Sequence, residues 1–152
     1  MADSPRIRSL TANGDMPRVV LADAGPFIGL FNREDRHHDE ALRGFRELAE
    51  QRTRVIVPLP IVLEVYKWLR YHVGSDAALS ALNRMLRTTQ IDYPGPDEFE
   101  RAVQLVRVRP SWGGSLQDAF LAQQALTTRL PLWTLNYRDF ASFSAVRFWN
   151  PR

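Results

Sequence analysis

The chain has 152 residues, of which 45% are hydrophobic and 24% charged, the size and make-up of one globular domain with one core. It has no cysteine, which excludes a disulfide framework and a thiolate zinc site, and no apolar run near the ~20 residues that span a bilayer. The formal charge of +3 and the pI of about 9.8 suit a polyanionic partner, although Lys67 is the sole lysine and the arginine bias reads mostly as coding composition.

Residues 1–17 carry no apolar signal core and read as a disordered leader, with Met16 as a second candidate start. Residues 18–152 are expected to form one cytoplasmic domain. VVLAD (19–23) is a short, continuous apolar run, the pattern of a buried strand. Gly25 and Pro26 break it, and FIGLFN is a short helix. NREDRHHDE is a polar loop that becomes the first turn of the next helix. There Ala41, Leu42, Phe45, Leu48 and Ala49 share one face, and Asp39 and Glu40 suit the positive N-terminal end.

VIVP (55–58) is a second buried strand. Pro60 opens a helix that buries Ile61, Val62, Val65, Trp68 and Leu69 and exposes Tyr66 and Tyr71. Gly74 ends it, and Ser75 is expected to cap the helix DAALSALNRMLR. TQIDY is a third strand, PDEFERAVQLVRV a helix, WGG a turn and SLQDAFLAQQALTT a helix. LPLWT and AVRFW are the last two strands. Strands alternating with helices predict an α/β fold: a mostly parallel central sheet of about five strands with helices on both faces. Ligands of such sheets bind beyond the carboxyl ends of the strands, where strand order reverses. Asp23 and Asn136 both follow strand ends and are expected to meet there.

Four side chains stand out against this frame. Asp23 closes the first strand, where an acid also suits a helix N-cap. Glu64 flanks the apolar stripe of its helix, where an edge salt bridge is the plain alternative. Asp118 lies near a helix start, where acids complement the helix dipole. Asn136 follows LPLWT. Carboxylates on apolar elements are costly unless paired, and a Mg²⁺ ion prefers such hard oxygen ligands. Ions held this way orient and activate water for phosphodiester chemistry. Carboxylates crowded together without metal are expected to show a raised apparent pKa.

The stretches VVLADAGPFIGLFNREDRHHDEAL, PLPIVLEVYKWL, GGSLQDAFLAQQA and LWTLNYRDFASF, spanning nearly everything from Val19 onward, resemble a PIN domain. The similarity is to the toxin ribonucleases of VapBC-type toxin–antitoxin pairs. The resemblance implies that Asp23, Glu64 and Asp118 hold Mg²⁺ or Mn²⁺, and that Thr134 is the hydroxyl residue preceding a fourth acid. That acid is replaced: the Thr-x-Asp pattern reads Thr134-Leu135-Asn136. Asp139 is read as part of the Asp-Phe pair that closes the loop and packs Phe140. The resemblance further implies an RNA substrate, a homodimer, and a small antitoxin that blocks the acidic pocket, often with an arginine. Partner contacts are expected on the helices at 61–73 and 75–87.

Asn136 also motivates an alternative, a catalytically weakened RNA-binding or scaffold protein on the same fold. A phosphatase with Asp23 as covalent nucleophile would want a second Asp where Gly25 stands. His37 and His38 are adjacent and face different ways, so they read as solvated or as features of a helix start rather than as a zinc pair, with a role near RNA as the lesser alternative. Arg33, Arg36 and Arg43 lie on or near the same loop and helix and read as a solvated face, with phosphate contact as the alternative. Trp112 could stack a base, and Trp68 reads as core. No phosphate-cradling glycine pattern and no Ser-His-acid arrangement are present.

Overall fold

The structure, a computed structural model, describes residues 16–152. The expected leader thus lies outside the described residues except for Met16, which packs against the core, and Pro17, whose carbonyl accepts from Thr53 Oγ1 at 2.8 Å. The short apolar runs become strands β1 (Val19–Ala22), β2 (Arg54–Pro58), β3 (Gln90–Asp92) and β4 (Leu132–Trp133). All pairings are parallel, in the order β3-β2-β1-β4. The helices are α1 (Ala24–Phe31), α2 (His38–Glu50), α3 (Leu59–His72), α4 (Ser75–Thr88), α5 (Pro96–Val108), α6 (Leu116–Thr128) and α7 (Tyr137–Phe140).

Successive strand residues point to opposite faces. Val20, Leu21 and Ala22 are each 0% exposed, so both faces of β1 are covered, as a parallel sheet between helices requires. The core runs through Phe27, Leu48, Ile61, Leu69, Leu121 and Trp133 to Phe140 and Phe148. No helix among the described residues is long and apolar enough to cross a membrane.

The chain lays β2 and β3 on one side of β1, then returns to place β4 on the other. Strand order therefore reverses between β1 and β4, and a crevice opens beyond their carboxyl ends. The backbone stitches the two ends together: Leu21 N–H donates to Pro131 O and Asp23 N–H to Trp133 O, both at 2.9 Å.

Four local readings are refined. α1 begins at Ala24, so Gly25 and Pro26 lie inside its first turn, where the missing proline N–H costs nothing. Gly74 rather than Ser75 holds the N-cap of α4. With φ of +138°, Gly74 donates to Leu69 O and accepts from Ala78 N–H, closing one helix while opening the next in a conformation that favours glycine. The run AVRFW makes one parallel bridge, Leu132 to Phe148, flanked by hydrogen bonds through Arg147 O and Trp149 N, so the fifth strand is a rudiment beside a two-residue β4. The residues after Asn136 form a short helix, α7, that buries Phe140 completely.

Candidate metal centre

The three acids read from the sequence converge. Asp23, Glu64 and Asp118 each offer a carboxylate oxygen, and these atoms lie within 4.8 Å of one another. They share an open cavity of about 400 Å³ with Arg36, His37, Trp68 and Asn136.

Asp23 reaches the site from the end of β1 and caps α1. Its Oδ1 accepts from Ala24 N–H and its Oδ2 from the Thr134 hydroxyl, both at 2.7 Å. Thr134, at the end of β4 and 0% exposed, also accepts from Asn136 N–H at 2.9 Å. The N-cap reading and the site reading of Asp23 are thus both satisfied by one side chain. Glu64 comes from α3, and its buried Oε2 has no hydrogen-bond partner. Asp118 stands at the third position of α6 in a capping box with Ser115: Ser115 N–H donates to Asp118 Oδ2 at 2.9 Å, and Asp118 N–H donates to Ser115 Oγ at 3.1 Å. The cap engages one oxygen of Asp118, and the residue also lines the cavity.

Crowding and burial store electrostatic cost here. Burial pushes Asp23 up to about 6, against the opposing hydrogen bond from Thr134, with the Asp118 charge adding to the rise. Burial pushes Glu64 up to about 7, reinforced by the charges of Asp23 and Asp118. Asp118 is raised by burial too, offset by its bonds to Ser115 and increased by Asp139. An orphaned buried carboxylate oxygen within a cluster of hard oxygen donors fits a divalent cation such as Mg²⁺ or Mn²⁺.

A stability prediction follows. The folded state holds protons on Asp23 and Glu64 that the unfolded chain has released, so metal-free stability falls as pH rises from about 4 to about 7. Asp23 alone, raised from 3.8 to about 6, contributes on the order of 3 kcal/mol to that loss. Urea denaturation in EDTA is expected to show a less stable protein at pH 7.5 than at pH 5. Millimolar Mn²⁺ is expected to restore stability at pH 7.5 and do little at pH 5. Equal metal-free stability at the two pH values would contradict the electrostatic cost.

Asn136 lines the cavity without joining the convergent acids. Its Nδ2 donates to Asp139 Oδ2 at 2.8 Å, so the i+3 acid ties the loop that buries Phe140 and acts on Asp118 through its charge. His37 lines the cavity, whereas His38 turns away and bonds Gly29 O at 2.8 Å, as adjacent positions require. Arg33 and Arg43 do not line it. Trp112 stands apart, edge-on to Phe140, with Nε1 donating to Ser115 O. The sequence reading passed over Trp68 as a site residue. It is only half-buried, stacked on His72, and lines the cavity one helical turn after Glu64, a spacing that was available as a signal.

Comparison with known proteins agrees with this fold. The family model of the PIN domain matches residues 20–146. The Mycobacterium tuberculosis VapC20 structure, described as a Sarcin-Ricin loop cleaving toxin, superposes with a TM-score of 0.71 at 18% identity, over 81% of this chain and 94% of that one. The Rickettsia felis VapBC2 structure, bound to a DNA fragment from its promoter, gives 0.67 at 14% identity, over 86% and 96%. A Klebsiella pneumoniae toxin–antitoxin complex gives 0.57 at 26% identity, over 84% and 94%. No curated protein matches the chain.

Proposed function

The chain belongs to the PIN domain family, and on that footing we propose that it is a metal-dependent endoribonuclease, the toxin of a type II toxin–antitoxin pair, working in the cytoplasm. The observation that carries this reading is the convergence of Asp23, Glu64 and Asp118 within 4.8 Å at the β1–β4 switch point. A bound divalent ion would supply an activated water and neutralise charge on the scissile phosphodiester. Asp23, Glu64 and Asp118 would hold it. Thr134 fixes the Asp23 carboxylate by donating to Oδ2, and its oxygen pins the backbone of Asn136. Asn136 offers an amide at the mouth of the cavity and orients water or ligand there. Its side chain is held by Asp139.

The partners in this reading are RNA, a small antitoxin that covers the acidic cavity, and a second copy of the chain. Exposed apolar side chains on α3 and α4 support partner contacts there: Leu63 is 60% exposed, Tyr71 77%, Leu79 53% and Leu86 51%. Each is expensive to leave in water and can be buried by association.

Cleavage of a structured RNA pool by purified protein tests the proposal. Scission in Mg²⁺ or Mn²⁺ that EDTA abolishes is the expected result. The second reading, an RNA-binding or scaffold protein of weakened activity, draws on the engagement of Asn136 with Asp139 and the absence of a fourth acid from the convergent set among the described residues. For that reading the natural protein binds RNA without cutting it, and Asn136→Asp gains metal-dependent cleavage. No scission by either protein in any metal would sink the nuclease reading.

A further inference from the structure

We infer that Arg36 is the residue of this cavity that grips a phosphate of the RNA strand, and that His37 positions it. The inference rests on the reading of the cavity as an RNA site and adds a contact that the acids cannot make.

The loop between α1 and α2 is closely tied. Asp35 N–H donates to Asn32 O at 3.1 Å, Glu34 N–H to Asn32 Oδ1 at 3.2 Å and His38 N–H to Asp35 O at 3.0 Å. The Asp35 side chain accepts from His37 N–H at 2.8 Å. From below, a Cβ at Gly29 would lie 3.3 Å from His37 O, so the loop rests against α1. The rim that carries Arg36 is therefore set by backbone geometry.

Two side-chain contacts then aim the guanidinium. His37 Nδ1 lies 3.2 Å from Glu40 Oε2, and Arg36 Nε lies 3.0 Å from His37 Nε2. A carboxylate only accepts, so Nδ1 carries the proton, and Nε2 is then free to accept from the arginine. Glu40, His37 and Arg36 form a relay that holds the guanidinium by its inner nitrogen. The two outer nitrogens have no carboxylate within ion-pair distance among the described residues, although Asp23, Asp35, Glu64 and Asp118 line the same cavity. A guanidinium fixed at Nε with its outer edge unclaimed matches the paired oxygens of a phosphate. Such a cation also answers an electrostatic need, because an acid-lined cavity repels a polyanion that must enter it.

Affinity for a fluorescein-labelled mixed-sequence RNA 12-mer, measured in Mg²⁺ across a KCl series on the Asp23→Asn protein, tests this. Adding Arg36→Gln is expected to weaken binding about fivefold and to flatten the log–log salt slope by about 0.7, the loss of one single-strand phosphate contact. Arg36→Lys keeps the slope but loses part of the affinity, having no Nε for His37. His37→Leu weakens binding with little change of slope, and His37→Gln, whose Oε1 can accept from Arg36 Nε, recovers it. A structural role would not move the salt slope. RNA bound equally well and with equal slope by Arg36→Gln overturns the assignment alone. RNA that Asp23→Asn itself fails to bind, in a protein shown folded by its thermal transition, overturns the assignment together with the RNA reading of the cavity.

Discussion

Asp23→Asn is expected to lower metal-dependent RNA cleavage at least about 10³-fold, about 4 kcal/mol of transition-state stabilisation at 1.36 kcal/mol per decade, while making the metal-free protein more stable at neutral pH. The two effects share one cause. Asp23 is 5% exposed and close to two other acids, so its charge is costly until a cation offsets it. Asparagine removes that charge. Its Oδ1 still accepts from Ala24 N–H, and its Nδ2 can donate to Thr134 Oγ1, reversing the direction of one bond. The reversal leaves the buried Thr134 proton without its present acceptor, which returns about 1 kcal/mol of the gain. Initial rates in Mn²⁺ and urea denaturation in EDTA at pH 7.5 read the two effects separately. Rates and stability falling together would mean that the Asp23 carboxylate stabilises the metal-free fold instead of straining it. Unchanged rates would remove it from the reaction.

Gly44→Val is expected to cost about 3 kcal/mol, near the upper end for overpacking a core, and to lower the melting temperature by roughly 10 °C for a chain of this length. Helix propensity by itself points the other way, since an interior glycine is a weak helix former. The packing decides. A Cβ at Gly44 would lie 2.4 Å from both Cη2 and Cζ2 of Trp133, well inside contact distance. Trp133 cannot retreat: it is 0% exposed, meets Trp149 edge-on at 5.0 Å and lies 4.7 Å from Phe45. Gly44→Ala is expected to destabilise as well, by less. Thermal melts of the two variants check the order. A stabilised Gly44→Ala would show that α2 shifts freely on the sheet. Because Trp133 directly precedes Thr134, displacement at this contact is also expected to loosen the hydroxyl that holds Asp23.

The alternation of apolar runs and amphipathic segments made the parallel sheet legible, because each strand is short, continuous and bounded by breakers. α5 was bounded correctly by Pro96, whose ring suits a first turn, and by acids beside it. Boundaries set by tertiary contact were less legible. Gly74 serves two helices at once, and AVRFW had the composition of a strand but found only a two-residue neighbour to pair with. The Arg36–His37 relay was out of reach for a related reason. Spacing placed both residues in a charged loop, yet nothing local showed that the loop folds back over the acids 28 and 82 positions away from Arg36, at Glu64 and Asp118.

Chain order and residue type alone determined the fold class and offered the three acids as candidates, because hydrophobic period and an acid's place on an apolar element are local properties that survive into the folded state. Their convergence was decided only when β4 crossed to the far side of β1, bringing Thr134 to Asp23 across 111 positions and leaving Glu64 Oε2 buried without a partner. Proximity, burial and the raised proton affinity that comes with them are properties of packing between distant segments. A carboxylate in the chain becomes a candidate metal ligand only through the neighbours the fold supplies.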